Sequence, residues 1–324
     1  MNNPSYAPLL FVLGLLLTNC TSQPTATDKT PEKGEPFPSE LVNFTPYTGN
    51  PVFSGTGADT WDENIRERGW IMREADGWHM WYTGYRNGPD EKMTLGYATS
   101  PDGLTWTRFS DSPIFDTNWT EDMMVVKWDN TFYMFAEGLN DIAHLLTSTD
   151  KIHWEDRGSL DVRQTNGQPL SPGPYGTPTA LRVDSLWYLL YERGDLGIWL
   201  ATSPDLIVWT NVQDDPILEM GPEPYDKYGL AVNQVVEYKG RYYAYFHGTS
   251  TEDWSLWSTN VAMSEDLIHW QKYPGNPISE DNKSSGILVH DGTQYLLYTM
   301  HEKVQVHYPT DSAYQSATDP SDSR

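Results

Sequence analysis

Short runs of apolar and aromatic residues alternate with tight-turn sequences along most of this chain. In the first such unit the runs occupy residues 70–74, 77–84 and 93–99, and Ala-Asp-Gly at 75–77 joins the first two. Runs this short, rich in aromatic and β-branched residues, are typical of β-strands, and Asp-Gly pairs favour tight hairpins. The pattern therefore predicts antiparallel strands joined by short turns.

This unit occurs five times along the chain. The later copies place paired runs at residues 123–126 and 131–136, 179–182 and 186–191, 233–236 and 241–246, and 286–289 and 294–299. Each of the first four units also carries the pattern Ser-x-Asp-x-x-x-Trp, at residues 100–106, 148–154, 203–209 and 264–270. Self-similar units at near-regular spacing indicate a stacked or radial array of supersecondary elements.

Five four-stranded units, the last without its outermost strand, predict an all-β fold. The fold is a five-bladed β-propeller of four-stranded antiparallel blades, with the ring closed by an N-terminal strand. Residues 41–47 are the candidates for that closing strand. In the repeated turn, we expect the Ser and Asp to bind the turn backbone and the Trp to pack between blades.

Charge and cysteine content exclude several classes of protein. The formal net charge of −24 disfavours binding to nucleic acid, and it disfavours electrostatic docking on anionic lipid. The chain has one cysteine, so it cannot form a disulfide bond within itself.

That cysteine, Cys20, ends the sequence Leu-Thr-Asn-Cys after an apolar run at residues 9–17. The arrangement resembles the lipobox of bacterial lipoproteins, which implies a signal peptide at 1–20 and a lipid on Cys20. It also implies a cell-envelope location at the outer membrane, facing the periplasm or the exterior, with membrane contact only through the lipid. The alternative is an ordinary secretory signal. We expect a flexible linker at 21–40, the propeller at 41–308 and a disordered tail at 309–324.

The start of each inner strand and the loop after each second strand lie at the same end of a blade, around a central funnel. These windows hold polar and ionisable residues from all five blades, a convergence that is typical of a functional pocket. The candidate substrate-binding residues in them are Glu63, Arg66, Arg68, Arg86, Glu121, Glu137, Tyr175, Thr177, Arg193, Asp226, Asn233, His247, Lys283 and His301.

Five blades with Ser-x-Asp-x-x-x-Trp turns resemble the propeller glycoside hydrolases of families 32, 43, 62, 68, 117 and 130, over residues 45–305. The resemblance implies cleavage of a glycosidic bond by two carboxyl groups. One protonates the leaving oxygen, and the other activates water or attacks carbon. No cofactor is required, although a structural calcium ion could bind in the funnel, and no His or Cys pattern indicates zinc.

The resemblance also implies roles for three catalytic candidates. The base or nucleophile is usually an Asp near the start of the first inner strand, at residues 67–69 here; this chain has no Asp there, and the nearest is Asp62. Asp122 occupies the expected place on the second inner strand. Glu192 is the candidate general acid, because its aromatic neighbours could raise its pKa, and Glu137 is its competitor.

We therefore expect a glycoside hydrolase that removes a terminal sugar from a plant or algal oligosaccharide or polysaccharide, with inversion. The implied bonds are α-L-arabinofuranosides, β-xylosides or anhydro-galactosides. Basic residues in the windows either bind an anionic sugar or neutralise the site carboxylates. Two alternatives stay open: a phosphorolytic enzyme of the family 130 kind, and a non-catalytic glycan-binding lipoprotein.

Overall fold

The computed structural model describes residues 34–89 and 91–310, which form five antiparallel sheets. Helical structure in this part of the chain is limited to the short α-helix Ser39–Val42 and the 3-10 turn Pro224–Asp226. The inner strand of each sheet contacts the inner strands of both neighbouring sheets, so the sheets close into a ring. The predicted five-bladed β-propeller is therefore confirmed.

Blades 1 and 2 follow the predicted order from the inner strand outward. The strands of blade 1 are Trp70–Glu74, Gly77–Tyr85, Thr94–Ser100 and Thr107–Arg108, with Asn64–Ile65 added beside the second. The strands of blade 2 are Glu121–Trp128, Thr131–Gly138, Ile142–Ser148 and Glu155–Ser159.

Blades 3 and 4 have the same order. The strands of blade 3 are Thr179–Val183, Leu186–Glu192, Gly197–Ser203 and Val208–Asn211, with Asp161–Arg163 parallel to the outer strand and Leu218–Glu219 beside the third. The strands of blade 4 are Gly229–Tyr238, Arg241–Thr249, Trp257–Ser264 and Trp270–Lys272.

Blade 5 takes its outermost strand from the beginning of the propeller. Its own strands are Gly286–His290, Tyr295–Met300 and Lys303–Pro309, and Phe44–Pro46 pairs antiparallel with the last of these. The pair Phe53–Ser54 adds to the same strand. Closure by residues within 41–47 is confirmed, and it ties the two ends of the ring together.

Because successive strands of a blade run in opposite directions, their loops lie at two ends of the propeller, and these ends differ in chemistry. The site end carries the starts of the inner strands and the loops after the second strands. The turn end carries the inner hairpins and the four Ser-x-Asp-x-x-x-Trp turns. In the last of these turns, Ser264 accepts from the N–H of Leu267 (2.9 Å), and Asp266 accepts from those of Ile268 (2.9 Å) and His269 (2.8 Å).

The Trp of the repeat joins neighbouring blades, as expected. Trp154 of blade 2 packs edge-on against Trp81 of blade 1 with ring centroids 6.1 Å apart, and Trp209 of blade 3 does the same against Phe135 of blade 2 at 6.0 Å. These indoles are buried between sheets, where large aromatic rings contribute most to packing.

Residues 34–40 belong to the folded body, although their composition predicts a linker. Phe37 packs against Tyr273 (4.9 Å between ring centroids), and Tyr243 donates a hydrogen bond to the Pro36 carbonyl (2.9 Å). Cys20, the apolar run at 9–17 and residues 311–324 lie outside the described residues. Within residues 34–89 and 91–310, no helix has the length and apolar character needed to cross a bilayer.

Candidate active site

The inner strands begin with an unusual backbone conformation at the site end. Arg68, Asp122, Thr177 and Ser285 have φ angles of 52°, 47°, 44° and 54°, and they stand at the starts of the inner strands of blades 1, 2, 3 and 5. Non-glycine residues seldom adopt positive φ, and such strain clusters at functional sites. In blade 2 the ladder also shifts register between Glu121 and Met124, so Asp122 lies in a bulge.

Arg68 forms the floor of the site. Its side chain is 0% exposed, and it donates to the Asp122 carbonyl (2.6 Å), the Pro178 carbonyl (2.6 Å) and Thr179 Oγ1 (2.6 Å). Burial lowers the pKa of Arg68 to about 10, although nearby carboxylates favour its charged form. Arg68 therefore links blades 1, 2 and 3 and supplies buried positive charge near Asp122, Glu137 and Glu192.

Asp122 is a buried carboxyl group of the site whose hydrogen-bonding capacity is unfilled. It is 8% exposed, and its Oδ1 is occluded from solvent without a hydrogen-bond partner among the described residues. Burial, together with the negative charge of Glu67, raises its pKa well above the ordinary value despite Arg68. This setting favours the protonated form of the carboxyl group, because an unpartnered buried anion is costly.

Glu137 and Glu192 converge on the backbone that precedes the inner strand of blade 3. The N–H of Thr177 donates to Glu137 Oε2 (2.7 Å), and the N–H of Gly176 donates to Glu192 Oε1 (3.0 Å). A Cβ at position 176 would lie 2.1 Å from Glu137 Oε2 and 2.7 Å from Glu192 Oε1. Glycine at this position therefore lets both carboxyl groups approach the same peptide.

Burial raises the pKa of both glutamates, that of Glu137 strongly. Neighbouring charges add to the effect at Glu137, whereas two backbone N–H donors oppose it at Glu192, one of them from Asp195 (2.6 Å). The pKa of Asp195 is itself raised well above its ordinary value by burial and by Glu192. Sequence reasoning missed Asp195, although it lies in the same loop as Glu192.

Glu67 has the opposite electrostatic character. Its Oε2 lies 3.0 Å from His301 Nδ1, and its Oε1 lies 3.6 Å from Arg66 Nη2. Although burial opposes ionisation, His301, Arg66 and His247 lower the pKa of Glu67 to about 2. The pKa of Glu67 is therefore lowered while the pKa values of the neighbouring Asp122 and Glu137 are raised.

Arg66 and Glu121 form an ion pair next to Glu67. Burial raises the pKa of Glu121 in spite of Arg66, and Trp119 Nε1 donates to its Oε1. On Arg66, burial lowers the pKa, but the charges of Glu121 and Glu67 outweigh it and raise the value. Arg66 therefore neutralises site carboxylates, which is one of the two roles expected for the basic residues.

His247 reaches the site from blade 4. Its Nδ1 lies 2.8 Å from Asn233 Oδ1, and the amide Nδ2 of Asn233 donates to the Gly286 carbonyl (3.4 Å). With Oδ1 left as the acceptor, we assign the proton of His247 to Nδ1, which leaves Nε2 as an acceptor. Burial lowers the pKa of His247 to about 4, so the ring is neutral near pH 7.

The structure does not bring Asp62 into this cluster. Asp62 is 1% exposed, and its carboxylate accepts from Thr60 (3.1 Å), Tyr82 (3.1 Å) and Arg108 (2.6 Å). Glu67 stands at the position aligned with the missing Asp, and its carboxylate lies in the cluster beside His301. Strand alignment indicated this position in the sequence, but the preference for Asp favoured Asp62.

Three other predicted residues form contacts with groups outside the carboxyl cluster. Asp226 is buried against Lys272 Nζ (2.5 Å). Arg193 donates to the carbonyls of Pro174 (3.1 Å) and Ser171 (2.9 Å), and Tyr175 donates to the Leu160 carbonyl (3.0 Å).

Three predicted residues are peripheral. Arg86 is exposed and paired with Asp59, Lys283 lies 3.7 Å from Asp281, and Glu63 contributes a backbone carbonyl to a loop (3.0 Å from the Gly57 nitrogen). None of these contacts involves the carboxyl cluster.

Metal-ligand spacing occurs at the turn end. Among the described residues, Glu74, Asp76 and His79 are the one such group, and Lys151 Nζ lies 2.7 Å from Glu74 and 2.8 Å from Asp76. Because the ammonium group already serves as the cation, these residues do not fit a metal ion. The calcium ion considered for the funnel has no such cluster among the described residues.

No family model matches the chain. An uncharacterised protein of Mycobacterium tuberculosis is 25% identical over 200 residues, which make up 56% of this chain and 66% of that protein. The β-1,2-mannobiose phosphorylase of a Thermoanaerobacter species is 25% identical over 180 residues, 50% of this chain and 58% of the phosphorylase. The chain thus spans less than two thirds of the length of each of these relatives.

Solved structures share the fold over most of the chain. A glycosyl hydrolase of Bacteroides ovatus superposes with a TM-score of 0.70 at 17% identity, covering 83% of this chain and 94% of its own. A structure from family 130, whose mannoside phosphorylases include hydrolases of β-1,2-mannosidic linkages in Candida mannan, gives 0.67 at 15%, covering 84% and 95%. The α-L-arabinofuranosidase of Podospora anserina gives 0.62 at 11%, covering 85% and 98%. The chain therefore has the five-bladed propeller fold found in glycoside hydrolases of these families.

Proposed function

We propose that the protein is an enzyme that hydrolyses glycosidic bonds at the carboxyl cluster of the site end. The observation that supports this is the contrast between two neighbouring carboxyl groups: Glu67 is paired with His301 and Arg66, whereas Asp122 is buried with its Oδ1 unpartnered. Their pKa values shift in opposite directions accordingly. Glycosidic cleavage needs one carboxyl group with a proton and one without, on either side of the bond.

In this proposal, Asp122 protonates the leaving glycosidic oxygen, and the Glu67 carboxylate takes a proton from the attacking water. Burial and the negative charges of Glu67 and Glu121 sustain the raised pKa of Asp122. The peptide at residues 176–177 fixes Glu137 and Glu192 through its N–H groups. His301 and Arg66 keep Glu67 ionised. Attack by a water from the face opposite the leaving group gives inversion.

The proposed substrate is a neutral oligosaccharide with a terminal sugar. Arg66 and Arg68 are bound to groups of the protein itself, which argues against an anionic sugar at the cluster. β-1,2-Mannosides are the first substrates to test, because a phosphorylase of β-1,2-mannobiose is among the relatives. Arabinofuranosides and xylosides follow.

Phosphorolysis is the second candidate, and the same relative favours it. Phosphate would need an accessible and unpaired cation, whereas Arg68 is 0% exposed and Arg66 is paired with Glu121. The test is mass spectrometry of the products from each glycoside, with and without inorganic phosphate. Free sugar in both reactions supports hydrolysis, and sugar 1-phosphate only with phosphate supports phosphorolysis.

Asp122→Asn, Glu67→Gln and the turn-end control Asp266→Asn accompany the wild type. Hydrolysis at the cluster predicts product from the wild type and the control, and a loss of about 100-fold or more in the first two. Binding of a glycan without release by any of the four would instead indicate a glycan-binding protein. Proton NMR of the first-formed anomer tests inversion.

We also propose export and lipid attachment at Cys20, on the lipobox-like sequence alone. In a bacterial host, wild-type protein should incorporate labelled palmitate and fractionate with the outer membrane. Cys20→Ser should do neither, and equal labelling of both proteins would contradict the proposal.

A further inference from the structure

A cavity of about 680 Å³ lies at the site end of blade 4, outside the carboxyl cluster. Its walls come from the segment before the inner strand, the loop after the second strand and the segment after the outer strand. The residues that matter here are Tyr225, Leu256, Trp257, Tyr273, Glu223 and Glu280.

This cavity shares a wall with the funnel. The Trp257 ring lies edge-on to His247, with 5.0 Å between ring centroids. His247 is bound to Asn233 within the site, so one aromatic ring separates the cavity from the cluster. A ligand in the funnel could extend into the cavity past this ring.

Leu256 and Trp257 line the cavity, and the exposed Trp254 stands near them on the same firmly held loop. Trp254 is 44% exposed and Leu256 is 42% exposed. Trp257 Nε1 donates to the Trp254 carbonyl (2.8 Å), and the Trp257 N–H donates to Asn282 Oδ1 (2.8 Å). A large exposed aromatic surface on an ordered loop is typical of a binding surface.

The charges that line the cavity select against anions. Lys272, the one cation in this lining, donates to the carbonyls of Glu219 (2.8 Å) and Gly221 (2.6 Å) and to Asp226 (2.5 Å), so its three protons are used. The exposed carboxylates of Glu223 and Glu280 remain as hydrogen-bond acceptors. Aromatic faces with acceptor oxygens and no available cation suit a ligand that is rich in hydroxyl groups and uncharged.

We propose that this cavity is a second sugar-binding site, which holds neutral sugar units of a glycan beyond those at the carboxyl cluster. This inference rests on the proposed function, because that function identifies the ligand as a glycan. Because the cavity adjoins the funnel through Trp257, longer neutral oligosaccharides should bind more tightly than disaccharides.

Isothermal titration calorimetry of the Asp122→Asn protein tests this without turnover. The probes are β-1,2-mannotetraose, arabinotetraose and xylotetraose, each with its disaccharide, and trigalacturonate as an anionic probe. At least one neutral tetrasaccharide should bind more tightly than its disaccharide. Adding Trp257→Ala should weaken tetrasaccharide binding about tenfold, as expected for a lost stacking ring.

Leu256→Ala and Glu280→Gln are smaller changes in the same cavity, and they test the proposal even if Trp257→Ala prevents folding. Each should weaken tetrasaccharide binding about threefold and leave the disaccharide affinity unchanged. Trp128→Ala is the matched control, because Trp128 is 39% exposed at the turn end and should have no effect. Thermal unfolding checks that each variant is folded.

Three results would overturn the proposal: no binding of any neutral tetrasaccharide, unchanged tetrasaccharide affinity in folded Leu256→Ala and Glu280→Gln proteins, or tighter binding of trigalacturonate than of the neutral probes. The outcome is separable from that of the proposed function. If the wild type cleaves nothing but these variants weaken tetrasaccharide binding, hydrolysis fails and the second site stands. If the wild type cleaves glycans and the variants bind the tetrasaccharide normally, hydrolysis stands and the second site fails.

Discussion

The two ends of the propeller use carboxyl groups in opposite ways. At the turn end, Asp150 and Asp266 accept hydrogen bonds from successive backbone N–H groups and from a His side chain. Side-chain and backbone hydrogen bonds from His153 lower the pKa of Asp150. At Asp266, burial opposes ionisation, but the corresponding hydrogen bonds from His269 outweigh it and lower the pKa. At the site end, Asp122 and Glu137 are buried with few donors, and their pKa values rise.

This difference separates stability from chemistry. A carboxylate whose oxygens are saturated by the backbone stabilises the turn that supplies the donors, and it has little reactivity left. A buried carboxyl group without donors destabilises the fold and holds a proton that can be transferred. The same residue type therefore indicates structure at one end and reaction at the other.

The largest expected effect is that of Asp122→Asn. Loss of the proton donor should lower kcat/KM by about 100-fold or more, whereas the free energy of unfolding should hold or rise because a buried acid is removed. The matched change Asp266→Asn should leave kcat/KM within about twofold and cost about 1 kcal/mol of stability, as for other side-chain bonds to turn backbone. Glycosidase kinetics and urea unfolding measure both. Equal losses of activity in the two variants would contradict the comparison.

Gly176→Ala should have the next largest effect. The new Cβ would meet the carboxyl oxygens of Glu137 and Glu192 at 2.1 Å and 2.7 Å, so it must displace both. We expect a fall in kcat/KM of about tenfold or more. Gly34→Ala is the control, because a Cβ at position 34 would have no neighbouring atom within 4 Å, and it should be silent. Full activity of Gly176→Ala would show that the carboxyl positions do not matter.

His301→Gln should shift a pH profile rather than abolish activity. His301 holds the pKa of Glu67 near 2, and its loss moves that pKa toward the ordinary value of 4.5. The acidic limb of kcat/KM should therefore move to higher pH, while Arg66 and His247 keep part of the shift. His153→Gln, at an exposed turn, should leave the limb in place. An unmoved limb in His301→Gln would remove Glu67 from the role of base.

The same group contributes to stability in a defined pH window. The folded pKa of Glu67 lies below the ordinary value, so its ionisation favours the folded state above pH 4.5. That contribution is lost as the pH falls from 4.5 toward 2. The free energy of unfolding should decline less steeply across this window in His301→Gln than in the wild type.

Arg86→Ala should have the smallest effect. Arg86 is exposed and paired with Asp59, and exposed ion pairs contribute little. We expect kcat/KM within about twofold of the wild type for neutral substrates. A large loss on an acidic sugar alone would restore the expectation of an anionic substrate.

The repeated unit made the fold predictable from the sequence. The site was only partly predictable, because it depends on ion pairs between residues that are distant in the sequence. The aligned strand ends pointed to Asp122, Glu137, Glu192 and His247, all of which line the site. The sequence did not show that Arg108, 46 residues after Asp62, would bind it, or that Lys272 would bind Asp226. Contacts between distant segments decide which carboxylates are neutralised, and local sequence patterns do not predict these contacts.

The most direct test of the account is a titration of the carboxyl groups themselves. Carbon-13 NMR of protein labelled at Asp and Glu carboxyl carbons follows each protonation, and Asp122→Asn assigns the signal of Asp122. The account predicts at least two carboxyl signals that titrate well above the ordinary range, one of which disappears in the variant. If every carboxyl signal titrates at or below its ordinary pKa, the claim that the site end stores protonated acids is wrong.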